Sequence, residues 1–510
     1  MDELIKRALW ILVSLALLVG CRGTVQIGIE RTPTPDRAVA ATLDALLDEN
    51  HRLATQVAAQ VAAIPSSLNL GQLAYVQGGD IWIMTLLDET SRPKRLTTDG
   101  RNREPRWSPS GQWLAFRKER PVSSTGLPAT VPDSASAAQE QVWLIQADGA
   151  GEHSLEQEAA VESFAWSPQN DRLAYATTIG GLRVVNADGT NLVTLIPESP
   201  LPPFGEKQVG RIRWSPAGDW IAYEWQLYEW GPQVASPFLT YQGLRIVPST
   251  GGTSIELHDS GISRTSVDLS DSDIPASSES VLVGWSALGA EVLFLQNRSS
   301  SSSLIEGELL YAAPVQANGA QSASPVSITN QTLLTYPDFV APAPLNASGE
   351  NPIAVAFVAG EGRKTWGNAR IIAFGRRITG QDMAAISPAW SPDGQRLAFT
   401  AMPDRNELES VELAGLMQRR IWVANAEGNP QPRRLTDASG YRDERPLWSA
   451  DGSYLLFARM DDRGRTSLWI ISSSGGFPRQ VVDELTPAPD PLDSYGYVDW
   501  EAYFDWWRGP

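Results

Sequence analysis

Cysteine occurs once in the 510 residues, at Cys21, and histidine three times, at His51, His153 and His258. A single thiol allows no internal disulfide, so the folded part must rely on its apolar core. No H-E-x-x-H, paired Cys/His cluster or Walker loop is present, which leaves no motif for a metal centre or a nucleotide site. Positive charge is also short: 41 Lys and Arg face 59 Asp and Glu, a net charge of −18. That balance argues against nucleic acid, whose phosphates need a basic face. The apolar run from Ala8 to Gly20 is too short for a comfortable membrane span. What the chain does have is 42% apolar residues, enough for a sizeable core in one large domain or several small ones.

The first residues read as a targeting signal. Lys6 and Arg7 precede the apolar run, which ends in Leu18-Val19-Gly20-Cys21, the length and order of a signal peptide. The last four residues resemble the lipobox of bacterial lipoproteins. The resemblance implies removal of residues 1–20, acylation of Cys21, and an exported protein with membrane lipid as a partner. Such a protein is anchored to the cell membrane or outer membrane and faces the periplasm or exterior. A secretory signal or membrane helix with a chance cysteine at its edge is the other reading. Residues 21–67 then form anchor, linker and a short helical stalk. Thr34 caps and Pro35 opens the stalk. Val39, Leu43, Leu46, Asn50, Leu53, Val57, Gln60 and Ile64 follow heptad spacing. The 36–64 stretch is either a dimer seam, with Asn50 setting register, or one amphipathic helix on the main domain.

From residue 68 to 510 the chain repeats itself. WSPSGQWLAF begins at Trp107, and related stretches begin at Trp166, Trp214, Trp285, Trp390 and Trp448. The long gap after Trp285 is about two units, and PAPLNASGENPIAVAFVA from Pro342 fills its middle without a tryptophan. GQLAYVQ from Gly71 is an eighth strand of the same kind. Later strands follow each repeat, as in QVWLIQADGAG then EHSL, or RIWVANAEGN then PRRLT. A four-stranded antiparallel unit that recurs every 50–60 residues or so must stack on its neighbours. The fold class is therefore all-β: a β-propeller of eight four-stranded blades, with seven as the alternative count. Within W-S-P-x-G, Pro presets the first turn position and Gly supplies positive φ. The tryptophan wedges between adjacent blades. The Asp-Gly pairs read as hairpin turns, not calcium loops. Blade one lacks an innermost strand, and spacing assigns Gly496–Trp500 to that place. The run from Tyr503 to Trp507 then covers the seam or, in a second reading, offers a sugar-stacking platform.

The pattern W-S-P-D-G, L-A-F, I-W-V, A-D-G, R-R-L-T resembles the TolB-type, WD40-like propeller repeat over about residues 68 to 507. The resemblance implies the fold, but similar propellers serve both periplasmic scaffolds and the gating domains of prolyl-oligopeptidase-like peptidases. Eight blades leave no length for a hydrolase domain. The string Gly284-Trp285-Ser286-Ala287-Leu288 lacks the final glycine of a nucleophile elbow. The expectation is a non-catalytic binding or scaffolding protein without cofactor or metal; the alternative is an envelope hydrolase or carbohydrate-processing enzyme with a channel site. Charged segments lead into the innermost strands: RNREPRW with Arg101, Arg103, Glu104 and Arg106; GRIRW with Arg211 and Arg213; YRDERPLW with Arg442, Glu444 and Arg445. If they share one face, Arg103, Glu104, Arg211, Arg213, Arg442, Glu444 and Arg445 form a binding patch for an envelope protein or acidic glycan. The bland reading is that these charges pair locally. Insertions around Trp225–Trp230, Asp259–Ser280 and Arg405–Arg420 offer other surfaces.

Overall fold

The repeated W-S-P-x-G stretch folds into the same hydrogen-bonded turn each time. The computed structural model describes residues 70–509, less 89–90, 120–139, 157–159, 199–205, 230–237, 260–279, 298–306, 317–323, 346–353, 362, 406–412 and 489–492. The chain divides into units Met1–Ala63 and Ile64–Pro510. The readings of the signal peptide, of Cys21, of the 36–64 stalk and of most insertions lie outside the described residues.

In the first turn Ser108 N–H donates to the Trp113 carbonyl at 2.9 Å and Gly111 N–H to the Ser108 carbonyl at 3.0 Å. Ser108 Oγ accepts from Trp113 N–H at 3.2 Å, and Ser215, Ser286, Ser391 and Ser449 repeat this contact. Gly111 has φ +69, the left-handed conformation that glycine adopts without cost. Serine and glycine build this turn, while proline presets it in some repeats and is replaced by Ala287 and Ala450 in two others.

Each turn joins the innermost strand of a blade to the next strand outward, and the structure holds eight four-stranded antiparallel sheets. Innermost strands of blades 2 to 8 are Asn102–Trp107, Val161–Trp166, Glu206–Trp214, Ser280–Trp285, Val340–Pro342, Met383–Trp390 and Tyr441–Trp448. Blade 6 is the one whose innermost strand lacks the motif tryptophan, as its sequence indicated. Blade 1 takes Gln72–Gln77, Asp80–Thr85 and Lys94–Arg95 from the start of the domain and Phe504–Trp507 from its end.

That last strand corrects the spacing argument, which assigned Gly496–Trp500 to the closure. Register identifies the right tryptophan. Trp107 pairs with Leu114, Trp166 with Leu173, Trp448 with Leu455, and Trp506 pairs with Leu73 in the same way. Residues Asp493–Gly496 and Trp500–Ala502 are short helical turns instead. Closure leaves no raw edge at the inner seam of the ring.

The core lies between blades. Leu114, Ala115 and Phe116 are each fully buried. Leu114 and Phe116 pack toward blade 1 and Ala115 toward blade 3, the period of two expected of a strand covered on both faces. Eight buried clusters occupy the eight blade interfaces. One of them joins Leu456 and Ile470 of blade 8 to Leu73, Tyr75 and Phe504 of blade 1.

The motif tryptophans stitch these interfaces. Trp166, Trp214, Trp285, Trp390 and Trp448 each donate Nε1–H to a carbonyl of the preceding blade, those of Arg106, Ala165, Arg213, Ala341 and Ala389, at 2.9–3.0 Å. A buried carbonyl without such a donor costs free energy, which explains why the ring needs this residue repeatedly.

Candidate site at the charged mouth of the channel

Innermost strands carry a bulge two or three residues before the tryptophan. The register shifts between Arg103 and Arg106, Ile386 and Ala389, and Glu444 and Leu447. In these blades Glu104, Ser387 and Arg445 have φ of +55, +53 and +54, and each precedes a proline. Blades 4 and 5 shift register near Gly210 and Gly284 instead. Bulges re-aim side chains. Here they open a cavity of about 1420 Å³ at the end of the channel away from the W-S-P turns. Glu104, Arg106, Arg117, Arg211, Arg213, Arg363, Asp338, Asp499 and Glu501 line it, along with Trp166, Tyr336, Trp366, Tyr495 and Tyr497. At the other end, among the tryptophans and prolines of the turns, lies a cavity of about 850 Å³.

The C-terminal segment before the closing strand forms part of the charged wall. Glu501 accepts from Arg106 Nη2 at 2.6 Å and from Arg445 Nη2 at 2.8 Å. Arg106 in particular holds its carboxyl down at about 2, against burial. Asp338 accepts from Tyr497 Oη at 2.9 Å, and the two rings of Tyr336 and Tyr497 stack 4.3 Å apart. Burial pushes Asp338 up to about 6 although Arg445 pulls the other way.

The expected patch divides in three. Glu104, Arg211 and Arg213 line the cavity. Glu104 accepts from Arg117 Nε at 2.6 Å. Arg211 is exposed and its guanidinium makes no hydrogen bond or ion pair among the described residues. Arg213 donates Nε–H to the Val283 carbonyl at 3.2 Å and Nη1–H to the Ile212 carbonyl at 3.0 Å, and meets no carboxylate within ion-pair distance among the described residues. Burial lowers its pKa. Arg445 reaches the cavity only through Glu501 and Asp338. Arg103 turns to blade 2, where its Nε donates to Glu140 at 2.7 Å.

Arg442 and Glu444 are corrections: both are buried inside the fold, not presented on a loop. Arg419 Nη1 donates to Glu444 Oε1 at 2.6 Å and to the Gly496 carbonyl at 2.6 Å, and Trp500 Nε1 donates to Glu444 Oε2 at 3.0 Å. Arg442 Nε lies 3.4 Å from Glu444 Oε1. Burial alone would raise the Glu444 pKa, but Arg442 and Arg419 hold it down. These charges hold the C-terminal segment in place. The site residues that local reading passed over are Asp338, Tyr495, Tyr497 and Glu501, which no nearby motif marks; Arg106 was legible as the residue before a motif tryptophan.

Ser286 and the described histidines, His153 and His258, lie away from this cavity. Ser286 Oγ serves the turn. His153 lies on the outer strand His153–Ser154 and bonds the Gly151 carbonyl; His258 lies on the outer strand Ile255–Asp259 against Phe294. Among the described residues no group of three His, Cys, Asp or Glu is placed to hold a metal, and no helix is long and apolar enough to cross a membrane.

The fold and this mouth define the class: an eight-bladed β-propeller with a charged, aromatic channel site. No family model matches the chain. It is similar to the Tol-Pal system protein TolB of Syntrophus aciditrophicus (strain SB), with 28% identity over 131 residues, 24% of this chain and 28% of that protein. Among solved structures, TolB from Acinetobacter baumannii aligns at 11% identity and TM-score 0.33, over 81% of this chain and 65% of that one. A puromycin-hydrolyzing peptidase of Mycobacterium tuberculosis aligns at 14% identity and TM-score 0.46, over 76% of this chain and 54% of that one. The chain thus spans less than two thirds of each of these relatives.

Proposed function

We propose that this protein is an exported, lipid-anchored binding module of the cell envelope that engages an anionic macromolecule at the charged mouth of its propeller and performs no catalysis. The observation that carries the reading is the pair Arg211 and Arg213, two guanidinium groups on one strand that line the cavity without a carboxylate in ion-pair contact among the described residues. An arginine fork matches carboxylate geometry and binds it in bidentate fashion. Sequence similarity to a stretch of a Tol-Pal system protein supports the envelope setting, and Leu18-Val19-Gly20-Cys21 supports the anchor. A binding role also suits a scaffold whose blades are held by packing while the mouth carries the charge.

Photo-crosslinking in the native envelope tests it, with the probe at Arg363, an exposed residue of the cavity rim. Wild type captures a partner; the Arg211→Ser, Arg213→Ser double variant loses it while keeping its thermal unfolding. Equal capture by both proteins contradicts the site.

A further inference from the structure

We propose that the charged mouth binds a carboxylated oligosaccharide, with Arg211 and Arg213 clamping a uronate carboxylate and Tyr495 stacking on a neighbouring sugar ring. This rests on the reading of the mouth as an anion site and names the anion.

Three observations favour a sugar. The first is the missing counter-ion. The nearest acid to the Arg211 backbone is Glu224, whose two oxygens accept the N–H groups of Leu282 at 2.7 Å and Arg211 at 3.1 Å. Both of its oxygens are thus engaged by backbone, and burial raises its pKa on balance although Arg211 and Arg213 pull it down. Glu501 is held by Arg106 and Arg445. A ligand carboxylate fills the vacant role.

The second is Tyr495. Its φ is +59, a conformation that a tyrosine adopts only where its surroundings impose it. Thr365 Oγ1 donates to its carbonyl at 2.7 Å, and Trp366 lies parallel behind its ring, centroids 6.4 Å apart. The ring is nevertheless 48% exposed, at the cavity. An exposed, backed and strained aromatic face suits the apolar face of a sugar. Trp366 Nε1 and Thr335 Oγ1, on residues that line the same cavity, are buried and without partners among the described residues.

The third separates a sugar from a peptide. An extended peptide joins a sheet edge through backbone hydrogen bonds. Along this mouth those groups are already used: the carbonyls of Arg106, Ala165 and Arg213 by tryptophans, that of Gly210 by Ser163 Oγ at 2.5 Å. Those four carbonyls are closed to a peptide backbone, while the side chains of the lining stay open to a sugar. A volume of about 1420 Å³ exceeds the roughly 300–1,000 Å³ of drug-sized sites and suits several rings.

Calorimetric titration of the full-length, detergent-solubilised protein tests this, with trigalacturonate as ligand and maltotriose and hexaglutamate as comparisons. Trigalacturonate binds saturably and more weakly at high salt. Arg211→Ser and Tyr495→Ala each lower affinity about tenfold or more, Tyr495→Phe preserves it, and all variants keep wild-type thermal unfolding. No saturable trigalacturonate binding overturns the inference, as does equal binding of maltotriose or an unchanged Arg211→Ser. Tight hexaglutamate binding with the same arginine dependence assigns the mouth to acidic peptides instead. Envelope crosslinking that survives a failed titration leaves the broader anion-binding reading standing.

Discussion

Arg106 holds Glu501 twice, through Nη2 to the carboxylate at 2.6 Å and through Nη1 to the backbone carbonyl at 2.7 Å, across 395 residues of sequence. The contact joins blade 2 to the segment that delivers the closing strand, and Arg445 of blade 8 completes the clasp from the other side. Ring closure and the shape of the charged mouth therefore depend on the same carboxylate.

Glu501→Gln is expected to weaken the clasp without removing its bulk. The side chain is 45% exposed, so solvent screens part of the loss, which should amount to roughly 1–2 kcal/mol. Chemical denaturation checks the value. Unchanged stability at low salt would show that the clasp is ornamental.

Two of the mouth carboxylates respond oppositely to pH. Glu501, held at about 2 by Arg106 against burial, contributes stability that is present above its unfolded value of about 4.3 and is lost as pH falls toward about 2. Asp338, raised by burial to about 6, binds its proton more tightly when folded. Its contribution is fully present below about 3.9 and is lost as pH rises through about 6. Asp338→Asn should therefore flatten the stability profile between roughly pH 4 and 6 and stabilise the protein relative to wild type at about pH 8. Melting curves across that range decide it, and an identical slope in both proteins refutes the assignment.

Two tryptophans of similar burial differ in one bond. Trp285 Nε1 donates to the Arg213 carbonyl, whereas Trp107 Nε1 has no partner among the described residues. Trp285→Phe should cost about 1–2 kcal/mol more than Trp107→Phe, the penalty of an orphaned buried carbonyl. Equal losses in urea unfolding would mean that bulk alone matters at these positions.

Most of the fold was legible because W-S-P-x-G is a local instruction: Ser108 Oγ, a proline and a left-handed Gly111 build the turn within a few residues. The innermost strand of blade 1 was misplaced because Trp500 and Trp506 look alike in sequence. Register against Leu73 distinguishes them, and the segment Tyr495–Tyr497 just ahead of both is held by Asp338, Thr365 and Arg419 from other blades. The same limit applies to the site. Arg211 and Arg213 could be read from GRIRW, but YRDERPLW reads as a solvated run whether or not Arg419 and Trp500 arrive to bury Glu444. Long-range partners of this kind leave no local trace.

Lipid attachment is a proposal that labelling can decide. A fatty-acid analogue fed to the native cell should mark the wild-type protein and spare Cys21→Ser, since Cys21 is the single thiol and acyl chains at about 0.8 kcal/mol per buried CH₂ give firm anchoring. Equal labelling of the two proteins would remove the anchor from the account.

The central claim is that Arg211 and Arg213 meet the partner. Its most direct measurement is photo-crosslinking from Arg363 in the native envelope, comparing wild type with the Arg211→Ser, Arg213→Ser protein at matched expression. The account predicts a crosslinked partner for the wild type, weakened by salt, and none for the double variant with its thermal unfolding intact. The same partner captured at equal yield by both proteins would contradict it.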